Sequence, residues 1–461
     1  MRRLYSVIAY LLAPAYCGAL AWRGFKERGY WAHFGERFGF GPTVGATSVW
    51  VHAASAGEVQ ASAPLVRALR REAPARPLVL TTATPAGAAR ARALFGEAGV
   101  EVRFAPLDLT GAVRRFIRRA RPRLAVVVEA ELWPNRFEEC RRRGIPLALV
   151  SARMSERSVR RYGLLRGVFE RALADVALVA AQTEADAARF RALGTAPGRT
   201  HVVGNLKFDL VLPAETHARG GALRERHARG RPLWVAGSTH QGEEAAVLEA
   251  HARVRERHPG ALLVIAPRHP PRFAEVASQL AARGVRFARR SRGETAESAT
   301  EVFLLDTLGE LLDFYAAADV VFVGGSLVPA GGHNLLEPAA LARAIVSGPY
   351  QHNAPDVASR LTERGGLELA RGPHELGEAV ARLLASPDAR ARMGGRALGV
   401  VEESRGALAR LLVLIAALAA QAPGPQEPQG PQSTAGPAGP AGGAPAAEAP
   451  SPEKSTSAAR R

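Results

Sequence analysis

Through most of its length the chain alternates short β-branched or apolar runs with amphipathic segments, and few folds accommodate that alternation. Strand, helix and strand in succession make the unit of a parallel sheet covered by helices. In the first half the runs predict strands at Ser48–Ala53, Pro77–Thr82, Val100–Phe104, Leu124–Glu129, Pro146–Ser151, Val176–Ala180 and His201–Val203. A second series begins at Leu233–Ala236 and continues through Ala261–Ala266, Val302–Leu305, Val320–Val323 and Ala344–Ser347. Between them Leu210–Arg231 is polar, carries a Pro and several Gly, and reads as an interdomain linker. A chain of 461 residues exceeds one ordinary core. The expected class is therefore α/β, with two Rossmann-like domains facing a central cleft.

Both ends depart from this pattern. Leu4 to Trp22 is a nearly charge-free apolar run preceded by Arg2 and Arg3. As a helix it reaches ~28 Å, about the thickness of a bilayer core. Tyr5, Tyr10, Tyr16 and Trp22 suit interfacial positions, so an anchoring helix is expected, with a cleaved signal peptide as the rival. Arg2 and Arg3 on one side and Arg23, Lys26 and Arg28 on the other leave the orientation of a span open. Ala407–Ala419 is a second apolar helix, too short to span and expected to pack back on the body. From Gln421 onward the Pro, Gly, Ala and Ser content is that of a disordered tail with no catalytic role.

Composition narrows the partners. The chain has 61 basic and 43 acidic residues, a net charge of +18, which suits an anionic partner: nucleic acid, an acidic membrane surface or a phosphorylated lipid. No aromatic-interleaved basic patch or nucleic-acid motif accompanies it, so nucleic acid is not expected. Only Lys26, Lys207 and Lys454 are lysines, the other 58 basic residues being arginines, which singles out Lys207 inside the folded body. Cys17 and Cys140 form no disulfide framework and lack metal-ligand spacing. The twelve histidines are scattered, and no metal is expected.

Three motifs in the first half carry candidate chemistry. His52-Ala53-Ala54-Ser55-Ala56-Gly57-Glu58 follows the first strand and enters a helix. Glu58 in its first turn is expected to be ionised and well placed as a base, although a Glu there is also ordinary helix chemistry. Glu129-Ala130-Glu131-Leu132-Trp133-Pro134-Asn135 follows another strand; were the strand to continue, Glu129 and Glu131 would point the same way. Gly204-Asn205-Leu206-Lys207-Phe208-Asp209 places the lysine near the domain junction, either toward a donor phosphate or in a surface pair with Asp209.

The second half carries a nucleotide-like set, again at strand ends: Gly237-Ser238-Thr239-His240, Ala266-Pro267-Arg268-His269 and Asp306-Thr307-Leu308-Gly309-Glu310. A Gly-rich loop follows from Gly324-Gly325-Ser326 to Gly331-Gly332-His333-Asn334-Leu335-Leu336-Glu337-Pro338. Glycines permit close backbone approach, and a helix starting near Asn334 would favour a phosphate. Glu337 is placed to accept from ribose hydroxyls, or to complete a capping box with Asn334.

Taken together and in this order, HAASAGE, EAELWPN, GNLKFD, GSTHQGEE, APRH, DTLGEL and GGHNLLEP resemble the 3-deoxy-D-manno-octulosonic acid (Kdo) transferase family of lipopolysaccharide synthesis (glycosyltransferase family 30). Arg28-Gly29-Tyr30 and Gly35-Glu36-Arg37-Phe38-Gly39 add to the resemblance, which spans about residues 1 to 400. It implies a GT-B fold and an inverting, metal-independent transfer of Kdo from CMP-Kdo to a lipid A precursor (lipid IVA), with no cofactor. It also implies Glu58 as proton acceptor, Glu129 and Lys207 as transition-state stabilisers, and CMP contacts from Pro267, Arg268, Leu308, Gly309, Glu310, Asn334, Leu335, Leu336 and Glu337. The expected organisation is an anchor over 1–25, an acceptor-side domain over 26–211, a CMP-sugar-binding domain over 212–400, a C-terminal helix over 401–420 and the tail over 421–461. The catalytic body is expected on the cytoplasmic face of the inner membrane. Rival readings are a GT-B transferase with another donor, a nucleotide-sugar epimerase, and an inactive membrane-bound lipid-binding module.

Overall fold

In a computed structural model describing residues 2–129, 131–163 and 166–421, the alternation resolves into two parallel sheets of seven strands each. The first contains β1 (Ser48–His52), β2 (Leu78–Thr82), β3 (Val100–Phe104), β4 (Pro122–Val128), β5 (Leu147–Ala152), β6 (Leu178–Ala181) and β7 (Thr200–Val202), in spatial order β3-β2-β1-β4-β5-β6-β7. The second contains β8 (Leu233–Thr239), β9 (Leu262–Pro267), β10 (Phe287–Arg289), β11 (Val302–Leu304), β12 (Val320–Val323), β13 (Ala344–Ser347) and β14 (Leu367–Leu369), in order β10-β11-β9-β8-β12-β13-β14. Helices cover both faces, which is why the central strands read as unbroken apolar runs. Val51, Leu80, Val126 and Leu149 are fully buried in one sheet, and Val235, Val264, Ile265 and Val321 in the other.

All twelve strands expected from the sequence form, with ends shifted by a few residues. Two more, Phe287–Arg289 and Leu367–Leu369, close the edges of the second sheet. Arg289 in the first and Glu368 in the second interrupt the apolar residues, so neither reads as an apolar run.

Leu210–Arg231 is not simply a linker. Thr216–Ala228 is an α-helix held to the second domain by Arg219–Asp313 (2.9 Å) and Arg224–Asp319 (3.0 Å). Its buried residues are Thr216, Gly220, His227 and Ala228, so its inner face shows little hydrophobicity in the sequence.

The expected C-terminal helix over 401–420 is two helices, Pro387–Ser404 and Ala407–Gln421. The second does pack back on the body, but on the first domain: Ala407, Leu411 and Ile415 join its core. Asp209 fixes the return, accepting from the N–H groups of Gly406 and Leu408 (both 2.7 Å) at that helix's start. Residues 422–461, where the tail was expected, lie outside the described residues. The N-terminal run is one helix, Arg2–Lys26, long and apolar enough by length and composition to cross a membrane.

Candidate active site

The acid–base candidates gather at the carboxyl edge of the first sheet. Ser55 caps the helix that follows β1, its hydroxyl accepting from the Glu58 N–H (3.3 Å). The Glu58 carboxylate folds back to accept from the Ala54 N–H (2.8 Å) and the Ser55 hydroxyl (2.9 Å). Glu58 is thus part of the helix start, but its ionisation differs from expectation. Burial pushes its carboxyl up to about 7, with Glu129 and Glu131 adding to the rise, while the Ala54 N–H and Ser55 hydroxyl oppose it. Desolvation and like charge outweigh the first-turn dipole, so the group exchanges a proton near neutral pH instead of standing fully ionised.

Glu129 and Glu131 do not share a face. The strand ends at Val128, and Glu129 adopts a left-handed backbone (φ 61°) while its N–H still donates to the Val150 carbonyl (2.9 Å). A non-glycine residue in this region is uncommon and requires surrounding structure to hold it. The turn sends the Glu129 carboxylate to Lys207 Nζ, 3.7 Å away. Glu131 instead accepts from the Trp133 indole N–H (2.6 Å) and lies 4.0 Å from His52 Nε2.

Lys207 sits in a single 3₁₀ turn, Leu206–Phe208, started by Asn205, whose side chain accepts from the Lys207 N–H (3.0 Å). Leu206 and Phe208 are buried on either side, which turns the lysine outward. Asp209 is occupied at the Ala407–Gln421 helix, so a simple Lys207–Asp209 surface pair is not what forms.

Beneath this edge lies a buried polar layer that the sequence did not announce. Arg136 donates to the Pro106 carbonyl (2.6 Å) and approaches His52 Nε2 (3.2 Å). Arginine only donates, so His52 accepts there and its Nδ1–H points to Thr81 (2.9 Å to Oγ1). Burial, with the Arg136 charge adding to it, pushes His52 below its usual range against the opposing pull of Glu131.

The second sheet presents cations and imidazoles at its carboxyl edge. Arg268 stands exposed after β9, its N–H donating to the Thr239 carbonyl (2.9 Å). Glu337 lies partly buried in the short Leu336–Ala340 helix. Burial raises its carboxyl, opposed by a hydrogen bond from Asn334 and by the charges of Arg90 and Arg268. The capping box is not formed: Asn334 accepts from the Leu336 N–H (3.1 Å), the helix starts two residues later than expected, and Leu335 occupies the cap. Arg90 comes from the first domain, on the helix Pro85–Phe95, and was not singled out in the sequence. It was one arginine among many, and only the apposition of the domains brings it to Arg268 and Glu337. A further link, Arg153–Asp356 (3.4 Å), joins the two halves.

The Gly-rich loop does not offer its amides freely. Glu243, fully buried, accepts from the N–H groups of Gly325 (2.6 Å), Ser326 (2.9 Å), Leu327 (2.8 Å) and His240 (2.9 Å). A side-chain carboxylate thus fills the anion nest that these amides make at the start of the loop. Gly325, at φ 69°, is needed because a Cβ there would lie 2.8 Å from the His333 ring. Glu310 is likewise engaged, by Arg290 (2.6 Å) and the Thr307 hydroxyl, which leaves the exposed backbone of Leu308 and Gly309 as the surface offered at that strand end.

His240, His269 and His333 lie in separate loops yet form one cluster. His240 and His333 stack with their Nε2 atoms 2.8 Å apart, and His269 meets His240 edge-on at 5.2 Å. Burial and then Arg268 push His333 down to about 4, so one ring of the stacked pair donates while the other accepts. Among the described residues no group of three or more His, Cys, Asp or Glu is arranged to hold a metal ion.

Two doubly wound sheets, with Glu58 on one carboxyl edge and Arg268 beside the partly buried Glu337 on the other, make up a GT-B fold. Residues 32–210 match the family described as 3-Deoxy-D-manno-octulosonic-acid transferase (kdotransferase). The chain is 37% identical over 418 residues to the 3-deoxy-D-manno-octulosonic acid transferase of Haemophilus influenzae, covering 90% of this chain and 98% of that one. It is also 37% identical over 428 residues to that of Bordetella pertussis, covering 89% and 98%. Its fold resembles that of Acinetobacter baumannii MurG, with a TM-score of 0.52 at 11% identity over 81% of this chain and 100% of that one. The chain belongs to the 3-deoxy-D-manno-octulosonic acid transferase family, and its activity is Kdo transfer in lipopolysaccharide biosynthesis.

Proposed function

We propose that the chain transfers Kdo from CMP-Kdo to a lipid A precursor, lipid IVA, at the cytoplasmic face of the inner membrane, with inversion at the anomeric carbon. The observation that carries this reading is Glu58, whose carboxyl sits near 7 beside the Glu129–Lys207 pair. A base needs a pKa near the working pH, and burial supplies it. Glu58 removes the acceptor hydroxyl proton as that oxygen attacks the anomeric carbon. The bond from that carbon to the phosphate oxygen breaks, and its electron pair leaves with CMP.

Lys207, Arg268 and Arg90 are the cations available to the departing phosphate, which gives the transfer charge neutralisation from side chains without calling on a metal. Glu129 keeps Lys207 placed. Pro267, Arg268, Leu308, Gly309 and Asn334 to Glu337 hold CMP, with the Glu337 carboxylate toward the ribose hydroxyls. Glu310 contributes by fixing its loop through Arg290 and Thr307. The test is product formation by purified full-length protein given CMP-Kdo and lipid IVA, read by mass analysis of the lipid. A lipid heavier by Kdo is expected, and activity confined to UDP-sugars overturns the reading.

A further inference from the structure

The N-terminal helix Arg2–Lys26 is fastened to the first domain from one end to the other. Tyr5 donates to the Asp108 carboxylate (2.9 Å), Ser6 to the Asn135 side chain (2.7 Å), and the Tyr10 oxygen accepts from the Gly111 N–H (2.9 Å). Nearer its end Leu20 is buried, and the Trp31 indole donates to the Ala21 carbonyl (2.9 Å). Gly24 is buried against Trp31, whose ring a Cβ there would overlap. At 100° per residue, Ser6, Ala9, Ala13, Cys17, Leu20 and Gly24 form one stripe, which is the side turned to the body.

The opposite side is apolar and open: Leu4 is 61% exposed, Leu11 73% and Phe25 77%. Exposed Trp22 and Trp31 continue this surface, and Lys26 lies over the Trp22 ring. Exposed Arg3 stands at one end, and Arg23, Lys26 and Arg28 at the other, with Glu27 as the single acid among them.

A helix that crosses a bilayer must leave the polar body behind. This one runs alongside that body for its full length of about 37 Å, so a crossing would draw Asp108, Asn135 and their neighbours into hydrocarbon, at a high cost for each unsatisfied polar group. We infer that the helix lies in the plane of an anionic bilayer surface, with its Leu4–Leu11–Phe25 face in the acyl boundary and both basic ends at headgroup level. The proposal rests on the membrane placement given above and deepens it. It also accounts for positive charge at both ends, which suits no orientation of a span but fits a helix whose two ends meet the same anionic surface.

The docking sites give this placement a functional consequence. Asp108 follows β3, and Asn135 follows β4 in the same loop region as Glu131, so the helix rests on the rim that carries the acid–base groups. The bilayer surface then lies beside the acceptor side of the cleft, where a lipid can present its sugar without leaving the membrane.

Depth measurement tests this. Full-length protein with Cys17 and Cys140 replaced, and with a fluorophore at L4C, L11C or F25C, is bound to vesicles of phosphatidylethanolamine and phosphatidylglycerol. The vesicles contain nitroxide lipids labelled at shallow or deep acyl positions. Kdo transfer by each labelled protein checks that the body is folded. All three sites are expected at ~5–10 Å depth, quenched more by the shallow label than by the deep one. If L11C is quenched mainly by the deep label while L4C and F25C respond to the shallow one, the helix spans, with Leu11 near the midplane ~15 Å down; the in-plane placement fails and the membrane reading stands. No quenching at any site overturns both.

Discussion

The two halves of the molecule share an architecture and divide the chemistry. Each is a seven-stranded parallel sheet with its polar motifs at the carboxyl edge. On the first edge Glu58, Glu129 and Glu131 crowd one another, with Lys207 as counter-charge. On the second, Arg268 and His269 are exposed beside the half-buried His240 and His333, while the acids Glu243 and Glu310 are already engaged by backbone amides or by arginine. Burial, with neighbouring carboxylates adding to it, raises one pKa toward neutrality and suits it to the proposed role of base, whereas engaged carboxylates leave a net positive rim suited to an anionic nucleotide. The same scaffold supports proton transfer or anion binding according to whether carboxylates or arginines line its carboxyl edge.

The sharpest way to break this comparison is Glu58→Gln. The amide oxygen can still accept from Ala54, so the fold and CMP affinity are expected to survive while turnover falls ~10²–10⁴-fold. Near-normal turnover in a steady-state assay removes Glu58 from the role of base. The same variant tests the pKa. With a folded value of about 7, kcat/KM of the parent is expected to rise with pH through neutrality as the base loses its proton, and the variant should lack that limb. Stability moves the opposite way. Between the unfolded value of ~4.3 and the folded one, the native state keeps a proton that the unfolded chain has lost, so stability falls as pH rises across that window. Denaturant titrations of Glu58→Gln should show a shallower fall.

Next in size is Lys207→Met, which leaves Glu129 without its counter-charge. Turnover is expected to drop by roughly 10–10²-fold with little change in CMP affinity, measured by titration, if this charge acts on the departing phosphate as proposed. A loss confined to CMP binding would move Lys207 to the donor half of the division. Glu337→Ala should do what Lys207→Met does not: weaken CMP by about tenfold, the scale of one or two lost hydrogen bonds, with turnover at saturating donor nearly kept. Unchanged affinity would leave Glu337 a structural residue.

The smallest effect belongs to Asp209→Ala, two residues from Lys207. It removes a helix cap and should cost ~1 kcal/mol of stability by chemical denaturation without altering the rate constant. Lys207 and Asp209 share one short motif, yet they serve different halves of the comparison.

Much of this was legible along the chain. A parallel sheet buried on both faces writes its strands as apolar runs, so twelve strands and the two-domain division were available from periodicity alone. Glu58, Glu129, Lys207, Arg268 and Glu337 could be singled out because doubly wound folds place chemistry at strand ends. Phe287–Arg289, Leu367–Leu369 and the Thr216–Ala228 helix could not, since the two strands break their apolar residues with Arg289 and Glu368 and the helix buries Thr, Gly, His and Ala in place of a hydrophobic stripe.

What only the tertiary structure decided is which groups meet. In sequence Glu129 and Glu131 stand two residues apart at a strand's end, and one left-handed residue sends the first to Lys207 while the other turns toward His52 and Trp133. Three histidines from three loops became one cluster, Arg90 crossed from the other domain, and Glu243 took the amides at the start of the Gly-rich loop. The apolar helix at the start was evident from composition, but its polar fastenings to Asp108, Asn135 and Gly111 were not. Local pattern fixes secondary structure because it depends on neighbours in the chain. Ionisation, charge pairing and docking depend on neighbours in space, and those exist only once the chain has folded.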